Sequence, residues 1–245
     1  MVQILVMRPA PSFVFAVLTC CIGNAFAQSA GDLQKQAIAR IDAFVENFRR
    51  TGDRTALLPD LATASQGLNI SNRQLAAQGN WSAVSLGLIK QGSIYRMQGQ
   101  WAPAINLYTE ALNTARRAQD TARQSDDLAW RALAKSSARN VGEALADAQE
   151  AVRLGEKIND KDTFARALDV LGGAQLAEGD LAGAAQTLTR EVDVASQAPD
   201  PMSLYYAYAS RSDVYLRPAK NASTGRLSMY AMERSTRRGQ IYNEH

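Results

Sequence analysis

The stretch that decides the fold is LIKQGSIYRMQGQWAPAINLYTEAL, residues 88–112. Its apolar and small residues fall at helical spacing on both sides of Gly99, which indicates two amphipathic helices joined by a tight turn. Glycine suits the left-handed backbone that closes a helix, and Trp101 follows it at the start of the second periodic segment. The segment therefore predicts one antiparallel helix pair.

The same pattern returns twice in one constant frame, which places Leu128 and Leu168 in the position of Leu88. The first recurrence consists of Leu128, Ala132, Val141, Ala144, Ala148, Ala151 and Val152. The second consists of Leu168, Leu171, Gly172, Gly179, Asp180, Leu181, Ala184, Leu188 and Val192. A single helix pair cannot bury its apolar face alone, so repeated pairs predict a stack in which neighbours share a core.

The residue types fit close helix packing. Gly99 and Gly179 suit left-handed turns, and Asp180 can cap the helix that follows. Small residues recur where the two helices of a unit should approach each other; these are Gly92, Ala132, Gly172, Ala104, Ala144 and Ala184. Larger residues, Tyr95, Tyr108 and Leu188, should fill the space beside them.

These units resemble the tetratricopeptide repeat (TPR) family, whose pattern is W-x2-L-G-x2-Y…A-x3-F. The match is best over 85–112, good over 165–192 and weaker over 125–152, where Lys135 replaces the tyrosine. The 40-residue period exceeds the usual length of about 34. The resemblance implies an all-α, right-handed superhelical solenoid of about five antiparallel helix pairs. It also implies a concave groove, lined by the first helix of each pair, that accepts peptides.

The flanking segments extend this organisation. Residues 28–80 are predicted to hold a degenerate first helix pair, with helices over 32–50 and around Leu57–Leu68, and a linker over 69–80. Residues 81–198 hold the three clear pairs. Residues 199–245 form a terminal pair, in which Pro218 should stop one helix and a basic helix over Thr224–Arg238 should cap the stack. Whether this end is natural or truncated stays open.

The amino terminus has the features of a secretion signal. Arg8 is the only charged residue in 1–27, an apolar run follows over 12–22, and Ala25-Phe26-Ala27 is typical of a cleavage site. An uncleaved anchor is the alternative. The arginine- and alanine-rich composition indicates a bacterial source, so cleavage after Ala27 predicts a periplasmic or secreted protein.

The sequence has few residues of the types that form catalytic sites. Cys20 and Cys21 both lie in the predicted signal, and the single histidine is His245. No nucleophile–base pair, metal site or cofactor site can be assembled, so we expect no enzymatic activity. The carboxylates at 126–127 and at 160 and 162 are interpreted as residues at helix starts, where the helix dipole favours them.

Charge narrows the range of partners. Residues 28–204 carry 19 basic and 21 acidic side chains, and residues 205–245 carry 7 and 3. This near balance disfavours nucleic acid. Membrane contact is expected only through an uncleaved signal or the basic carboxy-terminal helix. The sequence does not determine the oligomeric state.

A peptide or protein partner is therefore the leading expectation, with the chain acting as an exported scaffold or adaptor. Residues projected onto the groove are Arg49, Asp42, Ile89, Ser93, Arg96, Asp126, Ala129, Leu133, Ser136, Arg166, Asp169, Gly173, Tyr206, Asp213 and Arg217. The alternative function is a sensory or regulatory repeat domain of a larger signalling or effector enzyme that is truncated here.

Overall fold

The fold was analysed in a computed structural model, which describes the backbone of residues 29–52 and 58–221. Side chains are described for the same residues except positions 49, 58, 59 and 216–221. The predicted signal and the predicted helix Thr224–Arg238 lie outside the described residues. Every regular element in the described part is an α-helix, as the all-α prediction requires.

In the first of two compact units, Met1–Gln78, the described residues form two helices packed against each other. They are α1 (Ala30–Thr51) and α2 (Leu58–Ala77). The prediction of a linker over 69–80 is wrong for residues 69–77, which continue α2. Ser71 is buried and its hydroxyl donates to the carbonyl of Leu68 at 3.1 Å, while Leu75 extends the buried apolar stripe. The polar composition of this segment is typical of a loop, but here it belongs to a helix. The Ser71 hydroxyl is satisfied by a carbonyl of the same helix.

The second unit, Gly79–His245, contains the repeat. Its described helices are α3 (Trp81–Met97), α4 (Trp101–Arg117), α5 (Thr121–Ser137), α6 (Val141–Gly155), α7 (Lys161–Glu178), α8 (Leu181–Ala195) and α9 (Pro201–Asn221). The helix starts are evenly spaced along the chain, so every pair occupies one period of the sequence pattern. Consecutive helices pack together, which confirms the predicted helix pairs.

We call α3, α5, α7 and α9 the first helices, and α4, α6 and α8 the second helices. First helices of neighbouring pairs also contact one another, α3 with α5, α5 with α7 and α7 with α9. Helix α9 continues through Pro218 to Asn221, so the prediction that Pro218 stops it is wrong by one turn. Proline removes one backbone hydrogen bond and strains the preceding turn, and the helix ends three residues after it.

Left-handed residues mark the turns between helices at regular intervals. They are Gly79, Gly99, Gln119, Arg139 and Gly179, with φ between 55° and 99°. The predicted roles of Gly99 and Gly179 are confirmed, and the Asp180 carboxylate accepts from the Gly183 amide at 2.8 Å, as a helix cap should. Gln119 and Arg139 adopt a conformation that costs a residue with a Cβ about 1 kcal/mol.

Glycine at either of these two positions is therefore expected to stabilise the protein. Gln119→Gly or Arg139→Gly should raise the free energy of unfolding by about 0.5–1 kcal/mol, because the steric cost of the left-handed backbone disappears. Urea titration monitored by circular dichroism measures the change. Gln98→Gly is the matched control: Gln98 has φ −83°, so glycine there only adds freedom to the unfolded chain and should destabilise. Equal effects at positions 98 and 119 would contradict the explanation.

The predicted close approach of paired helices is present. A Cβ on Gly92 would lie 2.4 Å from Cε1 of Tyr108, and one on Gly172 would lie 2.4 Å from Cδ2 of Leu188. Tyr108 and Leu188 are themselves buried. The middle pair has buried alanine at both equivalent positions, 132 and 148. Each glycine is thus matched to a large residue on the second helix, and the alanine of the middle pair to a small one.

Lys135, which stands in the tyrosine position of the repeat pattern, forms ion pairs across the middle helix pair. Its Nζ lies 2.9 Å from Asp147 Oδ2 and 3.0 Å from Glu143 Oε2. Arg131 also donates to both oxygens of Asp147, at 2.8 and 2.7 Å. Ion pairs of Lys135 and Arg131 therefore join α5 to α6. In the best-matching unit, the position of Lys135 is occupied by Tyr95.

Candidate binding face of the first helices

Polar side chains link each first helix to the next. Each link joins residues about one period apart in sequence, and each has a carboxylate as acceptor. They are Ser85 to Asp127 (2.7 Å), Arg166 to Asp126, Ser203 to Asp162 (2.7 Å) and Ser210 to Asp169 (2.6 Å). These bonds hold α3, α5, α7 and α9 side by side, so their outward sides form a row.

One position of the repeat stays open along that row. Its occupants are Ser93, Leu133, Gly173 and Asp213, one from each first helix, and we call them the exposed line. Ser93 and Leu133 are half-buried, whereas Gly173 and Asp213 are exposed. A Cβ built on Gly173 meets no atom within 4 Å. All four were predicted groove residues; Gly173 and Asp213 are exposed, whereas Leu133 is partly buried against the hydrophobic core and Ser93 contacts Tyr108.

An arginine–tryptophan cluster flanks the exposed line and consists of Arg96, Trp130 and Arg166. The guanidinium carbons of Arg96 and Arg166 lie 5.4 and 5.9 Å from the Trp130 ring centroid. These three residues come from α3, α5 and α7, and each is at least partly exposed. Arg96 follows Ser93 by one helical turn, and Trp130 precedes Leu133 by one turn, so both share the side of the exposed line. Cation–π attraction holds the two charges over one aromatic surface.

The two arginines differ in how their charge is compensated. Arg166 donates to Asp126 and also experiences the charges of Asp160 and Asp162. Arg96 forms no ion pair within the described part of the chain, and its buried Nε has no hydrogen-bond acceptor there. Arg96 is therefore the cation of this cluster whose charge no described carboxylate compensates.

Tyr108 supports the cluster from below. Its ring centroid lies 6.5 Å from that of Trp130, and its hydroxyl is 3.3 Å from the Ser93 hydroxyl. Burial raises the pKa of the Tyr108 hydroxyl, and hydrogen bonds from Ser93 and Arg96 partly oppose that rise. The phenol is therefore a neutral group that shares a hydrogen bond with Ser93 beneath the Trp130 ring.

Three of the predicted groove residues are buried, and they are Ile89, Ala129 and Asp126. Ile89 and Ala129 are only 3% and 1% exposed and pack inside the stack, so their assignment to the groove is wrong. Within the second unit each first helix packs against its neighbours in the stack, which leaves a narrower open strip than the projection assumed. Asp126 and Asp169 are occupied in the links between helices.

The remaining candidates are scattered. Ser136 is half-buried on α5, and Tyr206 is 39% exposed on α9. Asp42 is exposed on α1, which belongs to the other compact unit. The side chains of Arg49 and Arg217 lie outside the described residues. Trp130 was not predicted; the signal that could have found it is a large aromatic residue where the neighbouring repeats carry Lys90 and Val170.

The interpretation of Asp126 and Asp127 as residues of a helix start is also wrong. Helix α5 begins at Thr121, so both lie in its second turn. Asp127 is fully buried, and its Oδ1 has no hydrogen-bond partner among the described residues. Burial raises the pKa of Asp127 to about 7, against the hydrogen bond from Ser85. Asp160, by contrast, caps α7 by accepting from the Thr163 amide at 3.1 Å, as expected.

Metal, catalytic and membrane-spanning sites were also considered for the part of the chain that the structure describes. No group of three or more histidine, cysteine, aspartate or glutamate side chains there could hold a metal ion. The hydrogen-bonded Ser85 and Asp127 are both fully buried, so a substrate cannot reach them. Across residues 29–52 and 58–221, no helix combines the length and apolar character needed to cross a bilayer.

Comparison with solved structures gives the class of protein: the chain has the fold of TPR-like repeat proteins. One neighbour is BtubC (BKLC) from P. vanneervenii, with a TM-score of 0.56 at 12% identity over 89% of this chain and 94% of that chain. Another is a P. anserina protein described as a putative kinesin light chain with nearly identical TPR-like repeats, with a TM-score of 0.55 at 13% identity. That alignment covers 89% of this chain and 100% of the other.

The predicted resemblance to the TPR family is therefore confirmed at the level of the fold. No protein-family model matches the sequence, and no curated protein matches it either.

Proposed function

We propose that this protein is a scaffold or adaptor that binds a peptide segment of a protein partner on its first helices. The exposed line carries this proposal, because it provides an exposed or half-buried position on each of four neighbouring helices. A surface of this kind can follow an extended or helical segment over several residues. The repeat fold supports the same function, since stacked helix pairs form long binding surfaces.

The chemistry beside the exposed line suits a peptide. Trp130 offers a partly exposed aromatic ring, Leu133 offers apolar surface, and Arg96 and Ser93 offer polar groups. Aromatic and arginine side chains dominate the binding energy of many protein interfaces. We place the main contact at α3, α5 and α7, where these groups lie together.

Site-specific photocrosslinking tests the proposal. A benzoylphenylalanine at Gly173, on the exposed line, should crosslink to a partner when the full chain is incubated with an extract of its source cells. Gly142 is the matched control, because it is also an exposed glycine with no atom within 4 Å of a built Cβ, but it lies on the second helix α6. If position 173 gives no product beyond those at position 142, the first-helix face is not the binding surface.

We also propose that the protein is exported to the periplasm. The sequence of residues 1–27 supports this, with Arg8, the apolar run and Ala25-Phe26-Ala27 in the order of a secretion signal. Expression of the full chain in a bacterium, followed by mass spectrometry of the periplasmic fraction, tests it. A protein that begins at Gln28 is expected, and a protein that keeps Met1 would contradict cleavage.

A further inference from the structure

We infer that residues 224–238 of this chain pack on helix α9 as the second helix of a fifth pair. The surface that they cover consists of Tyr205, Tyr208 and Tyr215, and we call it the tyrosine face. These side chains are 45%, 48% and 64% exposed among the described residues. The inference concerns another side of the stack than the exposed line and does not depend on peptide binding.

Exposed large side chains are concentrated on α9, which carries the tyrosine face and Tyr206. Elsewhere in the described part of the chain, only Ile70 and Leu181 are large apolar residues of comparable exposure. A group of exposed apolar or aromatic residues marks a contact surface, since its burial is favourable. Tyrosine is common in such surfaces because the ring packs while the hydroxyl keeps a polar partner.

The repeat frame shows which side of α9 carries the tyrosine face. Tyr205 occupies the position of Ser125, whose hydroxyl donates to the carbonyl of Ala151 on the second helix α6 at 2.8 Å. Tyr208 occupies a position that is a buried leucine in the other first helices of the repeat, namely Leu88, Leu128 and Leu168. A complete pair therefore covers both positions.

Tyr215 leads to the same conclusion. It occupies the position of Lys135, whose Nζ lies 2.9 Å from Asp147 Oδ2 on the second helix α6. The side of α9 that faces the preceding pair is already covered, because Ala207 and Val214 are buried in the clusters formed with α7 and α8. Within the described residues, α9 thus lacks the cover that a second helix provides.

Ser212 completes this pairing surface. It occupies the position of Gly92 and Gly172, where a large residue of the second helix comes close to the backbone. The Ser212 hydroxyl donates to the carbonyl of Tyr208 at 2.8 Å, so a helix packed there would not leave this donor unsatisfied. A small residue therefore lies among the tyrosines, as close approach of a second helix requires.

The residues that follow α9 have the spacing of a second helix. In the complete pairs, the second helix begins three or four residues after the first one ends, at 101 after 97, at 141 after 137 and at 181 after 178. Helix α9 ends at Asn221, so the same spacing gives a start at 224 or 225. The helix predicted over 224–238 has 15 residues, the length of α6 and of α8. A segment tethered at this spacing acts at an effective concentration of about 1 mM, which favours it over a second copy of the chain.

The register of the fifth pair can be counted from a complete pair. Gly172 lies six residues before the end of α7, and its neighbour Leu188 lies seven residues after the start of α8. Tyr215 likewise lies six residues before the end of α9, and seven residues after 224 comes Ala231. A small residue therefore lies opposite the most exposed tyrosine, which leaves room for its ring.

The same count places Arg238 opposite Tyr208. Guanidinium groups stack favourably on aromatic rings. The Tyr208 ring already accepts one such contact, because the guanidinium carbon of Arg211 lies 5.2 Å from its centroid. The basic residues of 224–238 thus match an aromatic surface better than they would match an aliphatic core.

Nitration of the unmodified full chain with tetranitromethane tests the inference without a variant. Tyr206 is the matched reference, because it lies on α9 outside the tyrosine face and is 39% exposed. The exposed fractions alone would make Tyr208 and Tyr215 react faster than Tyr206. With residues 224–238 in place, we expect both to react about tenfold more slowly than Tyr206, as residues protected by a docked helix do. Rates are read by peptide mass spectrometry and divided by those of the urea-unfolded protein.

Disulfide scanning measures the register. In a full chain with Cys20 and Cys21 replaced by alanine, Tyr208→Cys is combined with Arg238→Cys or with Thr236→Cys, and the thiols are oxidised with copper phenanthroline. The pair 208–238 should crosslink within one molecule about tenfold faster than 208–236, because two residues turn a helix by about 200°. Asp213→Cys replaces Tyr208→Cys as the control, since Asp213 is exposed on α9 but belongs to the exposed line, and it should crosslink slowly with both.

Three results would overturn the inference. One is nitration of Tyr208 and Tyr215 at least as fast as that of Tyr206. Another is an equal rate of crosslinking at 236 and 238, which a segment without a fixed register would give. The third is crosslinking between molecules, or protection that disappears on dilution, because the occupant is then a second copy of the chain. The proposed function is tested separately by crosslinking at Gly173, so either can fail alone.

Discussion

Alanine at position 172 is expected to lower the free energy of unfolding by about 2–3 kcal/mol, the usual cost of adding a methyl group to a packed core. The new Cβ would lie 2.4 Å from Cδ2 and 2.5 Å from Cγ of Leu188. Leu188 is only 1% exposed, so it cannot swing into solvent to make room. Helices α7 and α8 would have to separate, and the contacts between them would weaken.

The neighbouring residue supplies the control for Gly172→Ala. A Cβ on Gly173 meets nothing within 4 Å, and alanine favours a helix over glycine, so Gly173→Ala should stabilise by about 0.5–1 kcal/mol. Urea unfolding of the two variants measures the change in the free energy of unfolding, which should be negative for Gly172→Ala and positive for Gly173→Ala. If both changes have the same sign, close packing at Gly172 is not the reason for its glycine.

A double variant tests whether Leu188 is the obstacle. Leu188→Ala alone should cost about 2–5 kcal/mol through the cavity it leaves. Combined with Gly172→Ala, it should cost about 2 kcal/mol less than the sum of the single changes, because the methyl group then enters the vacated space. The middle repeat already has this combination, with buried Ala132 and Ala148 at the equivalent positions.

Stability is expected to fall as the pH rises from 7 to 9, and Glu191 is the reason. Glu191 is 2% exposed, and its Oε2 has no hydrogen-bond partner among the described residues. Burial, with a further contribution from the charge of Asp169, raises the pKa of Glu191 to about 9 from an ordinary value of 4.5. The folded protein therefore holds a proton that the unfolded chain has already lost at these pH values.

The sign follows from this difference in proton binding. Unfolding releases a proton at any pH between 4.5 and about 9, so a rise in pH favours the unfolded chain throughout that range and has no further effect above it. Asp127 acts in the same direction, but only up to about pH 7. Glu191 therefore makes the larger contribution in the interval from pH 7 to 9. We expect a loss of about 2 kcal/mol across it, from about 1.4 kcal/mol per pH unit.

Glu191→Gln tests the assignment, because glutamine keeps the shape of the protonated acid and cannot ionise. Urea unfolding at pH 7, 8 and 9 should show a nearly constant free energy for this variant. Glu178→Gln is the control, since it makes the same substitution at an exposed position at the end of α7 and should keep the decline of the unmodified protein. A decline of equal size in Glu191→Gln would mean that another group is responsible.

The sequence was sufficient to predict the repeated helix pairs, and the reason lies in their strict period. Gly99, Gly179 and Asp180 mark turns that depend on local backbone geometry, which a sequence pattern reports directly. Residues 69–77 were predicted wrongly because asparagine and serine are typical of loops. Their place in α2 depends on tertiary burial of Ser71 and Leu75, which outweighs the local preference.

The candidate site was predictable only in part. Helical spacing placed Ser93, Leu133, Gly173 and Asp213 on the open side, and Arg96 and Arg166 were found in the same way. The error at Ile89 and Ala129 arose because spacing within one helix does not show how closely neighbouring helices cover it. Trp130 joins two arginines that belong to different helix pairs and are distant in sequence, so the cluster exists only once three first helices lie side by side.

The equal spacing of helix starts also limits how this protein can change in length. Deletion of residues 121–160, one complete period, would bring Lys161 directly after Asp120. Asp120 and Asp160 both cap the helix that follows, accepting from the amide three positions later at 3.0 and 3.1 Å, so the new junction would keep its cap. Gene duplication or unequal recombination can therefore add or remove whole repeat modules without displacing a turn. An insertion within a helix that departs from a whole number of turns of about 3.6 residues would rotate the remainder of that helix away from its neighbours.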